Sequence, residues 1–158
     1  MADVLPIGII QPGDVLLYSG HGFNAWVISV KTWSKVTHCE LALGGGLTAA
    51  SRDGQGVNTY ELRREDLVHV LRPDTPLDMT GVKVFHAACI GQAYDWLGLL
   101  RFFTLGEQSK DKQFCSEYVT RLLRHGQLEP FQDAYDADLV SPGMLLCSAR
   151  LVRIWSAS

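Results

Sequence analysis

The sequence lacks the CxxC spacing of a zinc site: its four cysteines, Cys39, Cys89, Cys115 and Cys147, stand far apart. A chain of 158 residues that is 47% hydrophobic has core enough without cross-links, so the four are expected as free thiols. There is no excess of positive charge. A net charge of −3 argues against nucleic acid and against an anionic membrane surface as partners. No apolar run reaches the length of an integral membrane segment. Residues Met1 to Gly8 have neither the basic start nor the apolar stretch of a secretion signal, which predicts a cytoplasmic protein unless it rides in a virus particle or is exported by another route. Repeats, low-complexity tracts and linkers are absent as well, so residues 1–158 are expected to form a single domain. With 20% charged residues, the composition is that of a globular chain and not a disordered one.

What the chain does have is a helix that begins beside a cysteine. Cys115, Tyr118, Val119, Leu122 and Leu123 fall at i, i+3, i+4, i+7 and i+8, one apolar helix face. Asp111 is placed to cap its start and Gly126 to end it. Cys115 then lies in the first turn, where unpaired N–H groups and the helix dipole favour a negative charge. A thiol there has a lowered pKa and is a better nucleophile. The competing reading is a buried core thiol, the usual state of a free cysteine on an apolar face.

The rest of the chain alternates short strands with turns. Asp14 to Tyr18 reads as a strand after a Pro12-Gly13 turn. From Phe23 to Lys35, Trp26, Val27, Val30 and Trp33 recur at helical spacing. Val36 to Leu43 and Leu47 to Ser51 flank Gly44-Gly45-Gly46 and read as a hairpin. Alternation puts His38, Glu40 and Ala42 on one face and Cys39, Leu41 and Leu43 on the other. His38 thus shares a face with a carboxylate, which makes it a candidate base, while Cys39 is expected in the interior. After a turn over Arg52 to Gly56, Val57 to Tyr60 and Leu67 to Arg72 read as strands, with the charged stretch Glu61 to Asp66 between them as a solvated face. Thr75-Pro76-Leu77-Asp78 has the cap, proline and acid of a helix start, for a helix reaching about Gln92 with the poor helix former Gly81 inside it. Met144 to Cys147 and Arg150 to Trp155 read as closing strands. His21, His69 and His86 read as loop or structural histidines. The pattern is an α+β fold.

Pro12-Gly13-Asp14-Val15-Leu16, Thr37-His38-Cys39-Glu40-Leu41, Gly91 to Trp96 and Phe114-Cys115-Ser116-Glu117, in that order, resemble the circularly permuted branch of the NlpC-type papain-like cysteine hydrolases. The matching positions span nearly the whole chain. Ordinary papain-like enzymes place the cysteine helix before the histidine strand, whereas here His38 precedes Cys115 by 77 positions. The resemblance implies a permuted papain-like fold, a small antiparallel sheet or half-barrel packed against the helix that carries Cys115. It implies acyl-enzyme chemistry on Cys115 with His38 as base, and neither a cofactor nor a metal.

The chain departs from the family at the third catalytic position. Related enzymes place a polar orienting residue on the strand after the hairpin, where this chain offers Thr48 or Ser51, with Asp53 just beyond. Glu40 competes from the strand of His38 itself; Ser51 and Glu40 rank equal, and Asp53 follows. Tyr94 stands where the family has a tyrosine upstream of the nucleophile, so the resemblance implies a substrate-lining role, against a plain core tyrosine. Asp53 and Tyr18 join it as substrate-binding candidates. The expected activity is cleavage of an amide bond in a peptide or peptidoglycan-like substrate. Two alternatives stay open: lipid or thioester acyl transfer or ester hydrolysis, with Leu97 to Phe103 walling an acyl channel, and a binding module with a degraded site. The oligomeric state is left open.

Overall fold

The computed structural model describes residues 8–20, 35–92, 115–132 and 136–157. Residues 23–34 of the first expected helix, His21, Tyr94, the apolar run Leu97 to Phe103 and the capping Asp111 lie outside the described residues.

The described chain is α+β. Strands β1 (Val15–Tyr18), β2 (His38–Gly44), β3 (Leu47–Arg52), β4 (Gly56–Glu61), β5 (Leu67–Pro73) and β6 (Leu151–Ser156) form one sheet. Its order is β4-β3-β2-β1-β5-β6, and every neighbouring pair is antiparallel. The β2–β3 hairpin turns on Gly44, Gly45 and Gly46, all at positive φ, a conformation glycine adopts without steric cost. Helix α1 spans Met79–Cys89 and α2 spans Cys115–His125. Two 3₁₀ segments, Ala137–Leu139 and Pro142–Cys147, lead into β6.

Period-two alternation gives the sheet two apolar faces. One carries Val15, Leu17, Cys39, Leu41, Ala49, Val57 and Leu71, covered by Cys115, Tyr118, Val119, Leu122 and Leu123 of α2. The other gathers Leu16, Tyr18, Leu67 and Val70 in a smaller cluster. Strand β1 lies between the two and is buried along its whole length. Asp14, buried at its start, is clamped by Arg72 of β5 through Nε to Oδ1 and Nη2 to Oδ2, both at 2.8 Å. Among the described residues no helix is long and apolar enough to cross a membrane.

Two elements differ from the sequence reading. Helix α1 starts at Met79, later than the Thr75-Pro76 signature suggests. Asp78 is its cap, with Oδ1 accepting from the N–H groups of Thr80 and Gly81 at 2.9 and 3.2 Å. The Thr75 hydroxyl is instead occupied by Arg150, at 3.2 Å. Pro142–Cys147, expected from Met144 as a strand, is 3₁₀ helix; Pro142 at its first position favours a helical start over a ladder. Gly81 inside α1 has a packing reason. A Cβ there would stand 2.2 Å from the carbonyl oxygen of His125, at the end of α2, so the two helices cross in near backbone contact.

Candidate active site

The site is built on the first residues of β2. His38 opens the strand and pairs with Tyr18 of β1, their ring centroids 5.9 Å apart. Two residues on, Glu40 points to the same face, and its Oε1 lies 3.0 Å from Nε2 of His38. Glu40 is fully buried. A carboxylate out of water is stable only with its oxygens satisfied, and β3 provides the partners. Thr48 donates its hydroxyl to Oε2 at 2.7 Å, while Arg52 donates Nε to Oε1 at 2.8 Å and Nη2 to Oε2 at 3.1 Å. Arg63, in the connection between β4 and β5, lies over the Tyr18 ring at 5.0 Å and brings Nη2 within 3.5 Å of Oε1. Burial works to raise the Glu40 pKa. The hydrogen bonds from His38 and Arg52, the His38 charge and the Thr48 hydroxyl overcome it and hold the carboxyl at about 2.

Helix α2 brings Cys115 to this imidazole from the sheet's other side. The groups that act on its thiol are Cys39, through side chain and backbone, and the side chain of His38. The Cys39 hydrogen bond, against burial and with the His38 charge and hydrogen bond behind it, holds the Cys115 thiol well below its ordinary value. Burial alone would lower the His38 pKa; the charge and hydrogen bond of Cys115, then those of Glu40, carry it up to about 9. From Cys115 through His38 and Glu40 to Arg52, groups that favour negative and positive charge alternate. Cys115 is only 2% exposed, whereas the His38 side chain retains 17%. The imidazole is therefore the open side of the pair.

The structure brings Cys115, His38 and Glu40 together. Ser51, buried and three positions beyond Thr48, lies on the opposite face of β3 from the residues that hold Glu40. Asp53 is exposed in the β3–β4 turn. Tyr18 is buried under His38 and donates its hydroxyl to the Arg63 carbonyl oxygen at 3.2 Å. Burial, then the Glu40 charge, raises its pKa and keeps the phenol neutral. His86 joins Thr59, at 2.7 Å, and the Tyr118 hydroxyl, linking α1 to β4 and α2. His69 meets the Ser156 hydroxyl at 2.9 Å. None of the four cysteines is in a disulfide, and of the four only Cys147 is exposed. Among the described residues no group of three or more His, Cys, Asp and Glu side chains is gathered to hold a metal ion.

Two contributors escaped the sequence reading. Arg52 was placed in a turn, although alternation from Thr48 puts positions 48, 50 and 52 on one face if the strand runs that far. Cys39 was expected as core only, and no spacing in the sequence ties it to a helix 76 positions away.

No family model matches the chain. It is 27% identical to a protein of Escherichia coli strain K12 named probable lipoprotein peptidase YaeF, in an alignment covering 70% of this chain and 54% of that protein. The chain thus spans about half the length of the curated relative it matches. Its fold is that of a solved structure described as the metalloprotein yiiX of Escherichia coli O157:H7. The TM-score is 0.69, with 16% identity, over 92% of this chain and 97% of that one.

Proposed function

We propose that the chain is a papain-like cysteine hydrolase of the circularly permuted type, cleaving an amide bond in a peptide or peptidoglycan-like substrate. Cys115 is the nucleophile, His38 the acid and base, and Glu40 the residue that orients the ring. One observation carries the reading: the His38 side chain is held between the Cys115 sulfur and a buried carboxylate. Such a constellation is known by geometry and roles and not by chain order. The order found here, histidine strand before cysteine helix, is the permuted one. The peptidase name of the YaeF relative supports a peptide substrate.

The steps follow from the charge pattern. The thiolate attacks the substrate carbonyl carbon, and the π pair moves to the oxygen. The backbone N–H of Cys115, at the head of the described helix, is the natural donor to that oxyanion, and one such donor is worth on the order of 3 kcal/mol. On collapse the amine leaves with the proton from His38, and a thioester remains on Cys115. The now neutral His38 takes a proton from water, whose oxygen attacks the thioester; the acid departs, and thiolate and imidazolium are restored. Glu40 opposes the imidazolium at every stage, and its own guanidinium partner keeps it ionised. Substrate reaches the sulfur along the exposed edge of His38.

The test is to incubate the chain with peptidoglycan fragments and peptide amides and, separately, with a fatty-acyl thioester and a phospholipid, following products by mass spectrometry. Amide cleavage that Cys115→Ala abolishes is the expected result. Acylation of Cys115 by the lipid substrates with no amide cleaved would overturn the amidase reading.

A further inference from the structure

Beside the open edge of His38 stands a second cation. Arg63 is held from two sides: its carbonyl oxygen accepts the Tyr18 hydroxyl at 3.2 Å, and its guanidinium lies over the Tyr18 ring at 5.0 Å. The same ring lies against the His38 imidazole, their centroids 5.9 Å apart. Nη2 of Arg63 and Nε2 of His38 approach one oxygen, Glu40 Oε1, at 3.5 and 3.0 Å. That carboxylate is already well supplied. Arg52 donates to both of its oxygens at 2.8 and 3.1 Å, and the Thr48 hydroxyl donates to Oε2 at 2.7 Å. The Arg63 contact is the longest of these, at the limit of a hydrogen bond. Among the described residues its guanidinium has no other acceptor, and the side chain is 44% exposed. Arg52 is committed by contrast: it also donates to the Glu61 carbonyl oxygen at 3.2 Å and lies over the Tyr60 ring at 4.1 Å.

We propose that Arg63 determines specificity: it binds a carboxylate carried by the substrate close to the scissile bond, so that the preferred substrate is an acidic peptide. The inference rests on the reading of Cys115 as nucleophile and His38 as its base. A guanidinium matches the two oxygens of a carboxylate with paired N–H donors, and Arg63 has donors that Glu40 leaves unused. The Tyr18 ring holds the guanidinium in place before substrate arrives, which lowers the ordering cost of binding. Turning Arg63 toward a substrate leaves Glu40 with His38, Arg52 and Thr48, so the buried carboxylate stays satisfied. Imidazole and guanidinium meet at one oxygen. The bound carboxylate therefore lies one or two residues from the bond broken, at about 3.3 Å per residue of extended chain. A neutral acceptor also bonds to a guanidinium, but the charge-assisted bond is roughly twice as strong.

The experiment uses iodoacetyl peptides with a glutamate one or two residues from the reactive carbon, and the same peptides with glutamine. Each alkylates a thiolate with loss of iodide. Adducts on Cys115 are quantified by peptide mass spectrometry, with exposed Cys147 as the internal reference. On the unaltered chain, Cys115 should react with the better glutamate reagent about tenfold faster than with its glutamine twin, and Cys147 should show no such preference. In Arg63→Gln the preference at Cys115 should fall toward that at Cys147. In Arg63→Lys part of it should remain, because the charge stays and the fork is lost. Arg64→Gln removes an exposed charge from the same connection and should keep the preference in full. No glutamate preference in the unaltered chain would overturn the proposal whether or not the variants fold. So would a preference that survives in Arg63→Gln with both twins slowed alike, the mark of an Arg63 that only supports Glu40. Loss in Arg64→Gln as well would replace a site by general attraction. These readouts need no amide substrate. Cys115 no more reactive than Cys147 would remove the nucleophile itself, whereas a reactive Cys115 with an unmoved ratio removes this inference alone.

Discussion

Arg52 grips Glu40 at two points, Nε to Oε1 at 2.8 Å and Nη2 to Oε2 at 3.1 Å, and His38 Nε2 shares the same Oε1 at 3.0 Å. A guanidinium fork fits the two oxygens of a carboxylate as an ammonium does not. The orientation of the His38 ring therefore depends on a residue that never meets it.

Glu40→Gln preserves the shape and removes the charge. Turnover should fall by roughly 10² to 10⁴-fold with KM little changed, because the orienting charge matters most as the imidazole exchanges protons. Arg52 and Arg63 would also lose their counter-charge, costing about 3 kcal/mol of stability. Arg52→Lys, which keeps the charge and loses the fork, should fall between the two. Steady-state kinetics and denaturant unfolding on the same preparations check both effects.

The pH profile of kcat/KM should have a broad top. On the acid side it rises as Cys115 loses its proton, well below the ordinary thiol value. On the alkaline side it falls above about pH 9, as His38 loses its own. An alkaline limb starting near the ordinary histidine value of 6.5 would show that His38 is not paired with a thiolate.

Stability should follow a different curve. Between 6.5 and about 9 the unfolded chain carries one proton on the thiol, and the folded chain carries one on the ring. Proton numbers match, so stability is flat in that window despite two large shifts. Below 6.5 the unfolded histidine gains a proton that the folded pair does not, and stability falls with pH. Glu40 adds to the loss: its contribution is complete above 4.5 and disappears as pH drops through about 2. Urea titrations at a series of pH values would show the plateau and the two-stage acid loss, and Glu40→Gln should remove the second stage.

Gly81→Ala should destabilise the fold although alanine is the better helix former by about 1 kcal/mol. The new Cβ would meet the His125 carbonyl oxygen at 2.2 Å, and backbone cannot rotate away. A net loss of about 1–3 kcal/mol is expected, read as a lower Tm; a rise in Tm would contradict the packing described.

Much of this was legible in the sequence because it depends on local periods. The β2–β3 hairpin follows from its glycines and alternation, and the same alternation put His38 and Glu40 on one face. The α2 face follows from the spacing of Cys115, Tyr118, Val119, Leu122 and Leu123. Less legible were choices settled by long-range partners. Thr75 offers a cap in the sequence, but Arg150, 75 positions away, occupies its hydroxyl. Ser51 and Glu40 rank equal in the sequence, and the Arg52 guanidinium bonded to Glu40 depends on β3 extending through Arg52, which no local signal announces. The contact between Cys39 and Cys115 joins two elements that only the folded chain brings together.

The most direct measurement is the mass of the intact chain quenched within the first turnovers of an activated peptidyl ester. An adduct on Cys115, absent in Cys115→Ser and strongly reduced in His38→Ala, is the predicted result. An adduct spread equally over Cys89, Cys115 and Cys147, or one on Cys115 that forms as fast without the imidazole, would contradict the proposed pair.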